Sequence, residues 1–243
     1  MTCGGARNTS FRGRTLAVMN PDPPAKAPEP RAPLPPLPRL ADALRRLPPS
    51  CGPVRLVAVD GHAGSGKSTF ARRLAGALDG TPVLRLDDIA SHDELFGWTD
   101  RLRRWVIAPL ARGEAARFPA YDWVARRFGP GELTLPPAPV VIVEGVGAGR
   151  EALRPHLAAV LWMDVARETA WARGRLRDGT VQRDFWDGWE PAELQHFTED
   201  PSRPFADVVV RQFPEGYEVR QGPIGTPVGT QLVTECEGPS AVR

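Results

Sequence analysis

Hydrophobic and polar positions along the chain predict alternating strands and helices. Residues 54–60 form a short apolar run typical of a strand. Residues 69–78 carry apolar side chains at positions 70, 71, 74, 75 and 78, which is the spacing of one helix face. Apolar runs over 139–145, 158–164 and 206–210 predict further strands, and the first of these is a continuous branched run typical of a central parallel strand. The pattern therefore predicts an α/β domain.

A glycine-rich octet, GHAGSGKS at 61–68, separates the first strand from the first helix and matches the phosphate-loop pattern G-x-x-x-x-G-K-[ST]. Its glycines allow backbone N–H groups to turn onto phosphate oxygens, and the helix N-terminus adds partial positive charge. We expect Lys67 to reach the β- and γ-phosphates and the Ser68 hydroxyl to bind Mg²⁺. The alternative is an ordinary strand-to-helix turn. The predicted nucleotide-binding residues are Gly61, Ala63, Gly64, Ser65, Gly66, Lys67, Ser68 and Thr69.

Acidic residues stand where predicted strands end. A second strand over 81–86 is followed by Asp87 and Asp88, and the strand over 139–145 carries Glu144 near its end. The carboxyl ends of parallel strands face the ligand crevice, so a carboxylate there can take a proton from an acceptor hydroxyl or hold Mg²⁺. One of the two aspartates could instead cap the next helix, and we expect one aspartate for each job. Glu144 takes the place of a Walker-B-type carboxylate that meets Mg²⁺ or its water.

An arginine-rich helix is predicted over 166–177. Arginines held over the phosphates would neutralise the charge that builds on a transferring γ-phosphoryl group. The alternative is a set of solvated surface charges. The arginines in this helix are Arg167, Arg173, Arg175 and Arg177.

Aromatic and charged residues cluster at 117–123, with the sequence RFPAYDW, and are followed by Arg126 and Arg127. Such residues on a proline-containing loop suit recognition of a planar or polyol ligand. Packing of Tyr121 and Trp123 in the core is the alternative.

Composition narrows the partners. The chain has 243 residues, enough for one domain with a sizeable core plus tails. Its net charge is +2, from 31 basic and 29 acidic side chains, which gives no electrostatic argument for a nucleic-acid partner. Cys3, Cys51 and Cys236 are far apart and predict neither a disulfide framework nor a metal site, which fits a reducing compartment. No apolar run approaches the roughly 18 residues of a membrane span. We therefore expect a cytoplasmic protein whose partner is neither a nucleic acid nor a membrane.

The two ends of the chain differ in composition from its middle. Residues 1–52 form a proline-rich arm that we expect to be largely disordered, apart from a short helix over 38–47. Residues 1–20 are interpreted as an extension or as the product of a start codon upstream of Met19, with a transit peptide as the alternative. The compact domain is predicted over 53–213, and residues 214–243 are predicted to be a loose tail.

Several of these segments together resemble a known family. They are the octet at 61–68, the aspartates at 87–88, PAYDW at 119–123, the run at 141–145, the helix ending at 177–178 and the strand at 206–210. PAYDW looks like that family's P-x-Y-D-F loop. Over about residues 54–210 the chain resembles the uridine kinase-like branch of P-loop kinases, which also holds phosphoribulokinase, pantothenate kinase and nicotinamide riboside kinase.

The resemblance implies a P-loop NTPase fold, with three α/β/α layers, a doubly wound and mostly parallel sheet, and an arginine-rich lid. It implies ATP and Mg²⁺ as cofactors, with Lys67 on the phosphates and Arg173 and Arg177 closing over them. Asp87 would be the base on the acceptor hydroxyl, with Asp88 as second choice. Metal binding would fall to Ser68, Asp87 and Glu144, and acceptor binding to Asp88, Tyr121, Asp122 and Arg126.

Two departures from the family pattern concern the acceptor. Arg126 stands where uridine kinases carry a histidine that reads the pyrimidine base, and an arginine there could favour an acceptor bearing a carboxylate or phosphate. The family's Arg-Gly-Arg after the lid helix is replaced by DGTVQR at 178–183. The phosphate-binding residues match the family better than the acceptor-binding ones.

The sequence thus predicts an ATP-dependent kinase that transfers the γ-phosphoryl group to a hydroxyl of a small, nucleoside-like acceptor. One alternative is a P-loop regulatory module that binds ATP, hydrolyses it slowly and has no small-molecule acceptor. Against that alternative, the chain lacks the guanine-reading Asn-Lys-x-Asp motif, and the aspartate pair and arginine lid would have no use. A second alternative is a domain that retains the P-loop and has lost catalysis.

Overall fold

A computed structural model describes Met1 and residues 36–225. Its strands are β1 (Arg55–Asp60), β2 (Val83–Arg85), β3 (Ala116–Asp122), β4 (Arg127–Leu135), β5 (Val140–Glu144), β6 (Ala159–Met163), β7 (Val208–Phe213) and β8 (Gly216–Gln221). Its α-helices are α1 (Pro36–Arg46), α2 (Lys67–Ala77), α3 (Thr99–Leu102), α4 (Ala108–Ala111), α5 (Arg167–Asp178) and α6 (Arg183–Glu199). A π-helical turn (Arg103–Ile107) joins α3 to α4.

Six strands form the main sheet in the order β2-β5-β1-β6-β7-β8. In this order, all neighbouring strands from β2 across to β7 pair in parallel, and the edge strand β8 pairs antiparallel with β7. The neighbours of β1 in the sheet are β5 and β6, which both lie later in the chain, so the sheet extends from β1 in both directions. The predicted α/β fold with a mostly parallel sheet is confirmed.

Helices cover both faces of this sheet because alternate strand residues point to opposite sides. On one face, Val57 and Val59 of β1 pack with Leu44 of α1 and Phe70 of α2. On the other face, Leu56 and Ala58 pack in a core built around the α3–α4 segment. The fully buried side chains from that segment are Leu102, Val106 and Leu110, and Trp98 just before it belongs to the same core. The result is the predicted three-layer arrangement.

The limits of the compact domain differ from the prediction at both ends. Helix α1 buries Leu40 and Leu44 completely, so the core begins before residue 53. The tail predicted from residue 214 is wrong for residues 216–221, because β8 pairs along the whole of β7 and buries Tyr217. The predictions for residues 2–35, including Met19, and for 226–243 lie outside the described residues.

The segment expected to be an acceptor loop is a strand. β3 pairs antiparallel with β4 in a separate two-stranded sheet, with an irregularity between Pro119 and Tyr121. The hairpin places Trp123, just after β3, beside the turn that follows β2. The end of a β-hairpin therefore contributes to the same edge of the molecule as the carboxyl ends of the parallel strands.

Within residues 36–225, none of the helices combines the length and apolarity that a membrane crossing needs.

Candidate functional site

The glycine octet adopts the backbone of a phosphate-binding loop. Gly64 and Gly66 have φ angles of 80° and 91°, in the left-handed region that glycine tolerates. A Cβ at Gly64 would also collide with the carbonyl of Ala170 on α5. Helix α2 begins directly after Gly66, at Lys67. The loop therefore presents its amides at a helix N-terminus, as the motif predicts.

Lys67 is buried, and its ammonium group is held by the loop itself. Its Nζ donates hydrogen bonds to the carbonyls of Gly61 and His62, both at 2.9 Å. The charge therefore lies directly above the loop.

A cleft of about 790 Å³ opens over this loop and collects much of the predicted chemistry. The loop, the start of α2, and acidic and arginine side chains line it together. The predicted residues that line it are Ala63, Gly64, Gly66, Lys67, Ser68, Thr69, Asp87, Glu144, Arg173 and Arg177. Gly61 and Ser65 are buried within the loop instead of lining the space.

Of the two aspartates after β2, Asp87 faces the cleft. Its carboxylate lies 3.1 Å from the Arg85 guanidinium, and the carbonyl of Asp87 accepts a hydrogen bond from the indole N–H of Trp123 at 2.9 Å. Asp88 is partly buried and does not line the cleft. Burial raises the pKa of Asp88, against the lowering effect of Arg85. The geometry thus favours Asp87 over Asp88 for chemistry in the cleft.

Glu144 ends β5 and is only 3 % exposed. Burial raises its pKa, helped by the negative charge of Asp87 and opposed by the charge of Lys67 and a hydrogen bond with Ser68. Asp87, Glu144 and Ser68 therefore supply oxygen atoms along one wall, the donor type that Mg²⁺ prefers. No cluster of three or more His, Cys, Asp or Glu side chains suited to a metal occurs within residues 36–225, so these residues fit a metal shared with phosphate oxygens better than an all-protein site.

The arginines of α5 divide between two tasks. Arg173 and Arg177 line the cleft, and Arg177 makes a paired hydrogen bond to Asp178 at 2.6 and 2.8 Å. Arg175 instead bonds Glu190 and Asp187 of α6 at 2.6 and 2.8 Å, so it ties α5 to α6, and we call these two helices the lid. The two arginines that face the cleft are those expected over the phosphates.

Besides Asp88, the three other residues expected to touch the acceptor do not line the cleft. Tyr121 is 7 % exposed, and its hydroxyl lies 3.0 Å from Nδ1 of His92. Asp122 accepts hydrogen bonds from the backbone N–H groups of Val124 and Ala125, at 2.9 and 2.8 Å, and so shapes the hairpin turn. Arg126 is exposed on that turn with a φ of 54°.

Aromatic rings also line the cleft, and of these only Trp123 lies in a segment that the sequence analysis singled out. They come from the loop after β2, the hairpin tip and α6, and they are His92, Trp123, Phe185 and Trp189. The centroids of His92 and Trp123 are 4.8 Å apart, those of Trp123 and Phe185 5.8 Å, and those of Phe185 and Trp189 5.6 Å. For Phe185 and Trp189 the sequence signal was their helical spacing, four residues apart. We call this set the aromatic wall.

His92 is the titratable member of the aromatic wall. Burial and the positive charge of Arg126 lower its pKa, although Asp93 opposes them. The imidazole is therefore neutral at pH 7.

Comparison with known proteins gives relatives at low identity. No protein-family model matches the chain. It is 24% identical over 186 residues to a uridine kinase of Brevibacillus brevis, a match that covers 66% of this chain and 85% of that protein. It is 30% identical over 150 residues to the inorganic pyrophosphatase TTM2 of Arabidopsis thaliana, covering 58% of this chain but only 22% of that protein. A solved structure described as a possible uridine kinase from Bacillus stearothermophilus has 18% identity and a TM-score of 0.50, covering 70% of this chain and 96% of that one.

The solved structure confirms the P-loop fold. The match to the uridine kinase agrees with the resemblance drawn from the motifs, and at these identities the chain is similar to uridine kinase-like P-loop kinases.

Proposed function

We propose that this protein transfers the γ-phosphoryl group of ATP to a hydroxyl of a small, uncharged, nucleoside-like acceptor. The observation that carries the proposal is the composition of a single cleft. The phosphate-binding loop, the aromatic wall and Asp87 all line the same space. A kinase needs both a donor and an acceptor end, and a hydrolytic switch needs only the first.

The donor end would bind ATP through residues 61–69. Loop amides and the N-terminus of α2 would donate hydrogen bonds to phosphate oxygens, and Lys67 would contact the β- and γ-phosphates. Arg173 and Arg177 lie on the lid side of the same space, where guanidinium groups can stabilise charge on the transferring group. Phosphoryl transfer depends chiefly on such positioning and charge neutralisation.

The Ser68 hydroxyl and the carboxylates of Glu144 and Asp87 would hold Mg²⁺. When bound, the ion would neutralise part of the phosphate charge. Glu144 suits this role because its burial disfavours an isolated charge, so the carboxylate gains from a cationic partner.

Asp87 would take the proton of the acceptor hydroxyl. The hydroxyl oxygen then bonds to the γ-phosphorus as the bond from phosphorus to the β–γ bridging oxygen breaks, and ADP leaves with that electron pair. Trp123 bonds the backbone carbonyl of Asp87, so the aromatic wall and the base are fixed to one another. Asp88 lies outside the cleft and would support the turn.

The acceptor end favours a flat, uncharged ring. Aromatic faces stack on planar ligands, and the neutral His92 can donate or accept a hydrogen bond. Arg126 is exposed on the hairpin turn, so it gives no support to an anionic acceptor. Tyr121 and Asp122 would act indirectly, the first by holding His92 and the second by shaping the turn that carries Trp123.

The test is ATP consumption by the purified protein with Mg²⁺ across nucleosides, nucleotides, sugars and vitamin precursors. We expect one uncharged ring-bearing acceptor to raise ADP release. Asp87→Asn should reduce that rise by about 10²- to 10⁴-fold, since a general base contributes this much. Asp88→Asn is the matched control and should retain turnover within about threefold.

A flat panel, with nucleotide binding still detectable as a rise in melting temperature, would favour the regulatory module instead. Equal losses in both aspartate variants would remove Asp87 from the proposed role.

A further inference from the structure

A single carboxylate joins the phosphate-binding loop to both helices of the lid. Glu193 lies on α6, is completely buried and is used by none of the roles above. Its Oε1 accepts hydrogen bonds from Nδ1 of His62 at 2.7 Å and from the indole N–H of Trp171 at 3.0 Å. Its Oε2 accepts from the backbone N–H of Ala63 at 3.1 Å and from the indole N–H of Trp189 at 2.7 Å. The donors belong to the loop, to α5 and to α6.

These four bonds use the full acceptor capacity of the carboxylate, two at each oxygen. Burial acts to raise the pKa of Glu193, but the bond from His62, the charge of Lys67 and the bonds from Ala63 and Trp189 outweigh it and lower the pKa. Glu193 therefore stays ionised in the interior. An ionised buried carboxylate is tolerated only while its hydrogen bonds are made.

The lid cannot move away from the loop without a cost at this point. If α5 shifted alone, Glu193 would lose Trp171, and if the loop shifted alone it would lose His62 and Ala63. Losing a hydrogen bond to a buried charge is among the more costly local changes in a protein. The backbone adds a second contact between the same two segments, since Gly64 packs against the Ala170 carbonyl of α5.

We infer that Glu193 is a positioning residue that couples the lid to the phosphate-binding loop, so that nucleotide bound on the loop and closure of the lid favour one another. The nucleotide part of this inference rests on the proposed function. Ala63 lines the cleft, and its backbone N–H donates to Glu193, so Glu193 holds this part of the loop in place. The arginines that would face the phosphates belong to the same helix as Trp171, two and six residues further on.

Glu190 provides a matched control. It lies on the same helix one turn earlier and also bonds α5, through Arg175 at 2.6 Å. It holds the lid helices together without contacting the loop. Comparing Glu193→Gln with Glu190→Gln separates coupling to the loop from stability of the lid.

The first measurement is hydrogen exchange in the nucleotide-free full-length protein. Glutamine has the shape of glutamate but turns two acceptor sites into donors, which would face N–H groups. We expect Glu193→Gln to speed exchange about tenfold or more in residues 61–66 and 167–173. Glu190→Gln should leave residues 61–66 within about twofold of wild type. Unchanged exchange at 61–66 in Glu193→Gln, or an equal increase in both variants, would overturn the inference.

The second measurement is the Kd for ADP with Mg²⁺. We expect a rise of about tenfold or more in Glu193→Gln and less than about twofold in Glu190→Gln. Equal effects would contradict the coupling. A wild-type protein that binds no ADP would contradict the proposed function, and the exchange data would still decide whether Glu193 positions the loop.

Should Glu193→Gln fail to fold, Trp171→Phe keeps the carboxylate and removes only the donor from α5. We expect exchange at 61–66 to rise about threefold, although the loop itself is unaltered. Exchange confined to α5 would overturn the inference.

Discussion

The phosphate-binding loop and the aromatic wall of the cleft are built in opposite ways. At the phosphate end, one continuous segment from Gly61 to Thr69 supplies amides, a hydroxyl and an ammonium group, and backbone geometry sets their positions. At the acceptor end, rings arrive from three separate segments and are set by side-chain packing. Under the proposed function, the loop would therefore serve any nucleoside triphosphate, whereas the aromatic wall would determine which acceptor enters.

This difference implies that substitutions should separate the two substrates. A change at the phosphate end should lower turnover with every acceptor. A change in the aromatic wall should alter the KM of the acceptor and leave that of ATP. Because both ends share one cleft, the lid arginines and Asp87 connect them.

Apart from Asp87→Asn, the largest effect is expected for Lys67→Ala. The loop carbonyls hold its ammonium group in place, and its loss removes charge stabilisation of the transferring group. We predict a fall in kcat of about 10²- to 10³-fold. Steady-state kinetics with the true acceptor checks this, and Arg72→Ala, an exposed change on α2, serves as control. Wild-type turnover would show that the loop does not take part in catalysis.

A smaller and more selective effect is expected for Phe185→Ala. The ring stacks on Trp189 and packs edge-on against Trp123, so its removal opens the aromatic wall. We predict a rise of about tenfold in the KM of the acceptor with the KM of ATP within about twofold. Leu176→Ala, an exposed apolar residue on α5, is the control. Parallel rises in both KM values would contradict the division of the cleft.

The smallest effect is expected for Arg126→Asn, chosen because asparagine tolerates the positive φ of this turn. We predict that kcat/KM at pH 7.5 stays within about threefold, since Arg126 does not line the cleft. Its charge lowers the pKa of His92, so its removal lets that pKa rise. The acid side of the kcat/KM profile should then move to higher pH, because His92 becomes protonated at a higher pH. A large loss of kcat/KM at pH 7.5 would instead support an acceptor that carries a negative charge.

The same contrast explains what could be predicted from the sequence. The loop residues are consecutive and their spacing encodes a backbone shape, so their place in the cleft followed from the motif. The positions of Asp87 and Glu144 could also be predicted, because the carboxyl ends of parallel strands meet at one edge of the sheet.

The assembly of the aromatic wall and the contacts of Glu193 could not be predicted in this way. His92, Trp123 and Phe185 come together only through the hairpin and α6, and no local pattern records that contact. Tyr121 was expected at the acceptor, but it is buried within β3, and Trp123, which lies just beyond the end of that strand, lines the cleft instead. β8 was missed because glycine and proline in the surrounding segment hid a six-residue strand that only pairing with β7 stabilises.

The most direct test follows the γ-phosphoryl group of ATP by phosphorus NMR in the presence of Mg²⁺ and the acceptor that raises ADP release. The account predicts that ADP and a phosphomonoester of the acceptor form in equal amounts, with inorganic phosphate at the level seen without protein. Inorganic phosphate as the sole product, at a rate independent of acceptor, would contradict a kinase and identify a hydrolytic module instead.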